Sequence, residues 1–485
     1  MNERAVPLPP EVWDALHPAA QALILLQQQR IAGLERRVQE LEARLGQNSS
    51  NSSRPPSSDP PQAPPRRQPG PTGRRPGGQP GHEAHQRVLL PPEQVDQVVD
   101  HWPQQCRHCR GMLPADPALA VGDPERHQVT EAPPLRASVT EHRLQRVRCP
   151  ACGDETRAAL PQGVTPGAFG PRLMALVALL SGRYRLSRRE VTAVAADLLG
   201  VDLALGSVDG LCQETAAALA EPMAGLEAAV QQAAAVHADE TSWRQAGDRR
   251  WLWVVVSAAA TAFRIAQSRG SAVIKGLLGE KYGGWLTTDR WSAYSWVSRE
   301  RRQLCWAHLI RDFQAVVDGN GPGRPLAEQV LTVVAEVFGV WHQARDHPPL
   351  REWLVEQVAP LQQEVRLLLE AGTLVRDPKL PGLCEQLLKL WPALWTFVIV
   401  VGVEPTNNRA EQAIRPAVLW RKGSFGTQSD DGAHFVERML SVAATCKQQG
   451  QPLMDYLTAV CTAAQANQPI PTLLPAPAPL SHKAA

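Results

Sequence analysis

The chain has 485 residues, 44% of them hydrophobic, and a formal net charge of +2. That length exceeds one ordinary domain and can bury a sizeable core. The near-balanced charge excludes a globally basic coat, so any nucleic-acid surface must be local. Nine cysteines, four of them in two tight pairs, suit a reducing compartment and a metal site better than a disulfide framework.

The start, MNERAVPLPPEVWDAL, lacks the apolar core of a signal peptide. The longest apolar stretch, LWTFVIVVGV, is shorter than the roughly 20 residues that span a bilayer. The expectation is a cytosolic protein with no membrane span. Within 1–48, Ile24, Ile31, Leu34, Val38, Leu41 and Leu45 fall on a and d positions of a heptad frame interrupted at Gln27, with Glu35, Arg36, Glu40 and Arg44 on other faces. This predicts a short coiled coil; the alternative is one amphipathic helix packed on its own chain. Residues 49–87 are rich in Pro, Gly and Ser and predict a linker. Its six arginines from Arg54 to Arg87, against Asp59 and Glu83, also suit a segment laid along phosphates.

The segment 88–160 carries CRHC (Cys106, Cys109) and CPAC (Cys149, Cys152), with 39 residues between them. Each two-residue spacing aims a pair of thiolates at one point, which predicts a structural Zn²⁺ held by four cysteines. The intervening length leaves room for a β-hairpin such as ASVTEHRLQRVRC, and His82, His85, His101 or His108 could replace a sulfur. Cys212, Cys305, Cys384, Cys446 and Cys461 are isolated, so buried packing is their default.

Residues 166–230 read as helical. Ser187 is a plausible N-cap with Glu190 three residues on, a helix runs to Gly200, and Ser207 starts another. The outline fits a helix-turn-helix that reads DNA, with Arg183, Arg185, Arg188 and Arg189 at its start, and equally a plain helical hairpin. From 231 to 318, AAAVHADE, RRWLWVVVSA and AFRIAQSR read as three strands, SAVIKGLLG as a helix and GGWLTTDRWSAY as a fourth strand ending in Asp289. This pattern resembles the ribonuclease H fold, in which the first and fourth strands are neighbours, so Asp239 and Asp289 would face one another at one edge. Two such close carboxylates call for hard divalent cations between them. Residues 319–400 read as an inserted helical domain. In 401–450, PTNNRAEQAIRP supplies a third carboxylate, Glu411, with Asn407 and Asn408 placed to cap its helix and Arg415 one turn on. A C-terminal helix and tail complete the chain at 451–485.

Taken together, these motifs resemble the DDE-type transposases of the family-66 insertion sequences. The resemblance runs through the zipper and NSSNSSRPPSSD, PGGQPGH with the paired CxxC module, HADETSW, TTDRWSAY, CWAHLIRDF, NNRAEQAIRP and RKGSFGTQSDDGAHFVERMLSVAATCKQQG. It implies an α/β ribonuclease H-like core whose catalytic triad is Asp239, Asp289 and Glu411. The chain departs from the pattern at Thr406, where an acid is expected, and at Gln412, where an Arg is expected. The implied activity is cleavage of element ends and strand transfer into target DNA with two Mg²⁺, which Mn²⁺ could replace. The implied protein acts on double-stranded DNA in the nucleoid-bearing cytoplasm, as a dimer or larger, with or without accessory proteins. Glu240 competes with Asp239 for the metal, but alternation along a strand lets only one of them face it. Arg185, Arg188 and Arg189 are candidate DNA contacts of the helix-turn-helix reading, and His308, Arg311, Arg415, Arg421 and Lys422 are candidate phosphate contacts, each of these five with a surface ion pair as its plain alternative. Two rival classes remain, a DNA-binding regulator with a decayed core and a nuclease without strand transfer.

Overall fold

The computed structural model describes residues 10–45, 88–345 and 347–474, so the predicted linker at 49–87, with NSSNSSRPPSSD and PGGQPGH, lies outside the described residues. The described residues fall into two compact units, one of 88–137 and one holding the rest.

In the smaller unit the chain is mostly irregular. Gln128 pins it by accepting the Leu90 N–H at 2.8 Å and donating to the Leu90 carbonyl at 2.9 Å. The first CxxC pair sits in a tight turn closed by the Arg110 N–H on the Cys106 carbonyl at 2.9 Å, with Arg110 at a left-handed φ of 57°.

The larger unit begins with α1 (Pro10–Asp14) and α2 (Pro18–Leu45). Next come β1 (Arg146–Arg148) and β2 (Glu155–Arg157), antiparallel on either side of the second CxxC pair. The expected hairpin is therefore displaced: its strand partner follows Cys152 instead of preceding Cys149. The reason is local. The Cys149 N–H donates to Asp154 O at 2.7 Å, and Gly153 takes φ 83°, so the thiol turn itself reverses the chain.

Four helices follow: α3 (Pro171–Gly182), α4 (Arg188–Val194) running into a π turn, α5 (Leu205–Ala218) and α6 (Ala220–Gln232). Ser187 and Glu190 form a reciprocal capping box at α4, and Gly200 ends that stretch at φ 66°. The next helix starts at Leu205, two residues before the expected Ser207.

A five-stranded mixed sheet follows, from β3 (Ala235–Gln245), β4 (Asp248–Val256), β5 (Thr261–Ala266), β6 (Trp285–Thr288) and β7 (Arg302–Leu304), with α7 (Ser271–Leu278) between β5 and β6. The order is β5-β4-β3-β6-β7, with β3, β4 and β5 antiparallel and β3, β6 and β7 parallel. The first strand does not stop at the acid pair as expected. Ala246 and Gly247, at φ 50° and 86°, make a tight hairpin turn, so β3 pairs with β4 as far as Gln245.

The helical segment comprises α8 (Trp306–Asp318), α9 (Arg324–Ala344), α10 (Arg351–Gly372), α11 (Leu380–Lys389) and two short turns, α12 (Trp391–Leu394) and α13 (Thr396–Ile399). It has its own apolar core, including Trp306, Phe313, Val334, Leu369 and Phe397. The chain then returns to the sheet with α14 (Asn408–Ser424), α15 (Asp430–Gln449) and α16 (Leu453–Gln465). Helix α15 lies along the edge strand β5. Glu437, Ser441 and Thr445, spaced four apart, accept the N–H groups of Ile265, Phe263 and Thr261 at 2.5, 2.8 and 3.0 Å. The edge that would otherwise offer a row of free donors is thereby closed.

Candidate functional site

Strands β3 and β6 pair in parallel, with Ala235 opposite Trp285, Val236 opposite Leu286 and His237 opposite Thr287. Carrying that register forward two residues brings Asp239 level with Asp289. The parallel ladder ends before either acid, so both stand where the two strands part. Each carboxylate is oriented locally: Asp239 Oδ1 accepts the Glu240 N–H at 2.9 Å, and Asp289 Oδ1 accepts the Trp291 N–H at 2.9 Å.

The third acid arrives on α14. Asn407 was expected to cap this helix through its side chain, and it does not. Its Nδ2 instead donates to the Ala238 carbonyl at 2.7 Å, and its N–H donates to Cys305 Sγ at 3.1 Å. The Trp306 N–H donates to Pro405 O at 2.9 Å. The beginnings of α8 and α14 are thus fastened together beside β3, and Glu411 is in the first turn of α14. Its Oε1 is buried with no hydrogen-bond partner, 3.6 Å from His308 Nδ1 and 3.9 Å from Arg311 Nη2.

Asp239 carries the mark of crowded negative charge. Burial first, then Glu240, Asp289 and more weakly Glu411, hold its carboxyl well above the ordinary range. Glu240 is buried on the same strand and also raised, by burial and by Asp289. Its partners differ from those of Asp239: Arg269 bonds it at 2.7 Å and the Tyr294 hydroxyl donates to Oε2. Arg269 in turn lies over the rings of Trp291 and Trp251, 4.0 and 4.8 Å from their centroids. Glu240 is therefore neutralised within the chain, while among the described residues the hydrogen bond to the Asp239 carboxylate comes from the backbone N–H of Glu240.

Among the described residues, the group of possible metal-ligand side chains whose donor atoms all lie within 4.8 Å of one another is Cys305, His308 and Glu411, and Asp239 and Asp289 stand outside it. Cys305 was read as plain packing. It is buried, with its thiol pushed up to about 11 by that burial, yet its sulfur faces His308 and Glu411. The available signal was the CWAH spacing, which puts residues 305 and 308 one turn apart.

The two CxxC turns are alike within their separate units. Backbone N–H groups of Cys109 and His108 lower the Cys106 thiol, and those of Cys152 and Ala151 lower that of Cys149. Such donors favour thiolates, as a zinc turn requires.

The predicted DNA contacts divide. Arg188 is engaged internally, 3.1 Å from Asp209, bonded to Ser181 and 5.4 Å above the Phe435 ring. Arg421 bonds Thr241 Oγ1 at 3.0 Å and Ser242 Oγ at 2.6 Å, which ties α14 to β3. His308 and Arg311 face Glu411. Arg185, Arg189, Arg415 and Lys422 are exposed. Arg185 also lines a cavity of about 410 Å³ with Arg183, Arg409 and Lys447.

Comparison with known proteins gives a family. Residues 166–435 match the Transposase IS66 family, and residues 8–88 match a family of unknown function, DUF6444. The chain is 24% identical over 392 residues to the uncharacterized protein y4hP of Sinorhizobium fredii (strain NBRC 101917 / NGR234), covering 73% of this chain and 69% of that one. It is 24% identical over 238 residues to the uncharacterized protein y4qI of the same organism, covering 44% of this chain and 43% of the relative.

Proposed function

The chain belongs to the IS66 family of transposases, and from that premise we propose that it cuts the ends of its element and joins them to target DNA with Asp239, Asp289 and Glu411 as the catalytic carboxylates. The observation that carries this reading is the level placement of Asp239 and Asp289 on neighbouring parallel strands, with α14 fastened to the Ala238 carbonyl next door. The strand order, three antiparallel strands followed by two parallel ones, supports a ribonuclease H-like core interrupted by a helical insertion.

The residues fit divalent cations. Asp239 is raised by burial and then by its acidic neighbours, and Glu411 has a buried oxygen without a partner, so a cation would relieve both. Mg²⁺ or Mn²⁺ bound there would acidify the attacking water or 3′-hydroxyl and stabilise the leaving oxygen. The chain's own groups supply the rest. Arg269 and Tyr294 hold Glu240 away as a neutralised neighbour, and Asn407 fixes the helix that presents Glu411. Exposed Arg185, Arg189, Arg415 and Lys422 are proposed to meet the phosphates, and α4 with α5 to serve as a helix-turn-helix-like DNA reader.

Changing Asp239, Asp289 or Glu411 to Ala is expected to abolish cleavage and joining of a labelled element-end duplex while DNA binding survives, and double variants should be hardly worse than singles. Near-normal joining by Asp239→Ala would overturn the assignment. Cleavage without joined products by the unaltered chain would favour the nuclease reading instead. Zinc is proposed for Cys106, Cys109, Cys149 and Cys152. Elemental analysis should find about one Zn²⁺ per chain, released by Cys149→Ser, and an unchanged content in that variant would sink the proposal.

A further inference from the structure

Two buried ligand atoms near the proposed carboxylate site face each other without bonding. His308 Nδ1 and Glu411 Oε1 are both buried, neither has a hydrogen-bond partner, and they are 3.6 Å apart. That is beyond a charge-assisted hydrogen bond, whose heavy atoms approach to about 2.7–2.9 Å. It is close to the spacing of two ligands on one ion: bonds of about 2.1 Å put ligand atoms about 3.0 Å apart at a right angle and about 3.4 Å at a tetrahedral angle. The two helix starts that carry these side chains are fastened together, since the Trp306 N–H bonds Pro405 O and the Asn407 N–H bonds Cys305 Sγ. Unpartnered buried polar atoms of this kind call for an ion or a water.

We infer that His308 Nδ1 is a nitrogen ligand to the divalent ion that Glu411 would hold, so that the site is a carboxylate set with one imidazole. This rests on the carboxylate reading above and narrows it. Cys305 Sγ, third in the cluster, already accepts the Asn407 N–H and is the neighbour of the ion, not its ligand. One nitrogen donor shifts preference from Mg²⁺ towards Mn²⁺ and later first-row ions, because imidazole suits them better than it suits Mg²⁺.

The test is pulsed electron paramagnetic resonance of one equivalent of Mn²⁺ on the full chain. The spectrum should carry the modulation of a directly bound imidazole nitrogen. His308→Gln should abolish it and weaken Mn²⁺ about tenfold or more, in line with losses at metal-supporting residues, while His237→Gln, two residues before Asp239 on β3, should retain it. Modulation absent from the unaltered chain, or persisting in His308→Gln, overturns the inference. If Mn²⁺ then binds through oxygen alone and Asp239→Asn weakens it, the carboxylate reading stands without His308. If neither Asp239→Asn nor Glu411→Gln changes Mn²⁺ affinity, or the full chain takes up no Mn²⁺, both readings fall.

Discussion

Glu437 shows how a single carboxyl can set a pH dependence away from the proposed catalytic acids. Burial raises its pKa from 4.5 to about 7, and its Oε1 accepts the Ile265 N–H at 2.5 Å. Below about pH 4.5 the group is protonated whether the chain is folded or not. Between there and about 7 the unfolded chain loses the proton and the folded chain keeps it, so stability falls as pH rises through that window. Glu437→Gln keeps an acceptor for Ile265 and removes the titration. Its urea midpoint should match the parent near pH 4 and exceed it at pH 8, and equal midpoints at both would refute the shift. At this scale the sequence shows which residues are acids but not the company they keep. Asp239 and Glu240 are adjacent letters, and strand alternation says they differ. Which one is neutralised depends on Arg269 and Tyr294, at 29 and 54 residues' distance in sequence from Glu240.

At the scale of elements, local chemistry was the readable part. The Ser187–Glu190 capping box is a pattern of four letters and is formed as such. The alternating strands of the sheet were readable from their apolar periodicity, and the family-level α/β character follows from them. What escaped was decided by pairing at long range. Strand β7 is three residues, Arg302–Leu304, too short to show periodicity, and is a strand because it pairs with β6. The side chain of Asn407 looked like a cap because asparagine before a helix usually is one. It is drawn instead to an open carbonyl at Ala238, 169 residues away. The ladder of Glu437, Ser441 and Thr445 on β5 mixes a four-residue helical step with a two-residue strand step. Neither periodicity alone reveals that the two elements will meet.

At the scale of the whole chain the open matter is assembly, and α2 carries it. This helix has 28 residues, and Leu23, Leu26, Ile31, Leu34 and Val38 on it are exposed, with Ile31, Leu34 and Val38 each more than half open to solvent. An amphipathic helix gains most of its stability from packing its apolar face, so a helix of this length with these apolar residues exposed is stable when something covers them. Ile31, Leu34 and Val38 lie on the a and d frame, where the natural cover is the same stripe of a second copy. Cutting two element ends also requires two active sites held together, so a dimer through α2 would serve the proposed reaction directly. Leu34→Pro combined with Leu41→Pro removes two helix hydrogen bonds and costs about 3 kcal/mol at each position, enough to break a short seam. The parent chain should sediment as a dimer or larger, and the double variant as a smaller species whose DNA binding survives. If the parent is multimeric and the variant keeps its size, other surfaces hold the copies together, and the exposed stripe of α2 must meet a different partner.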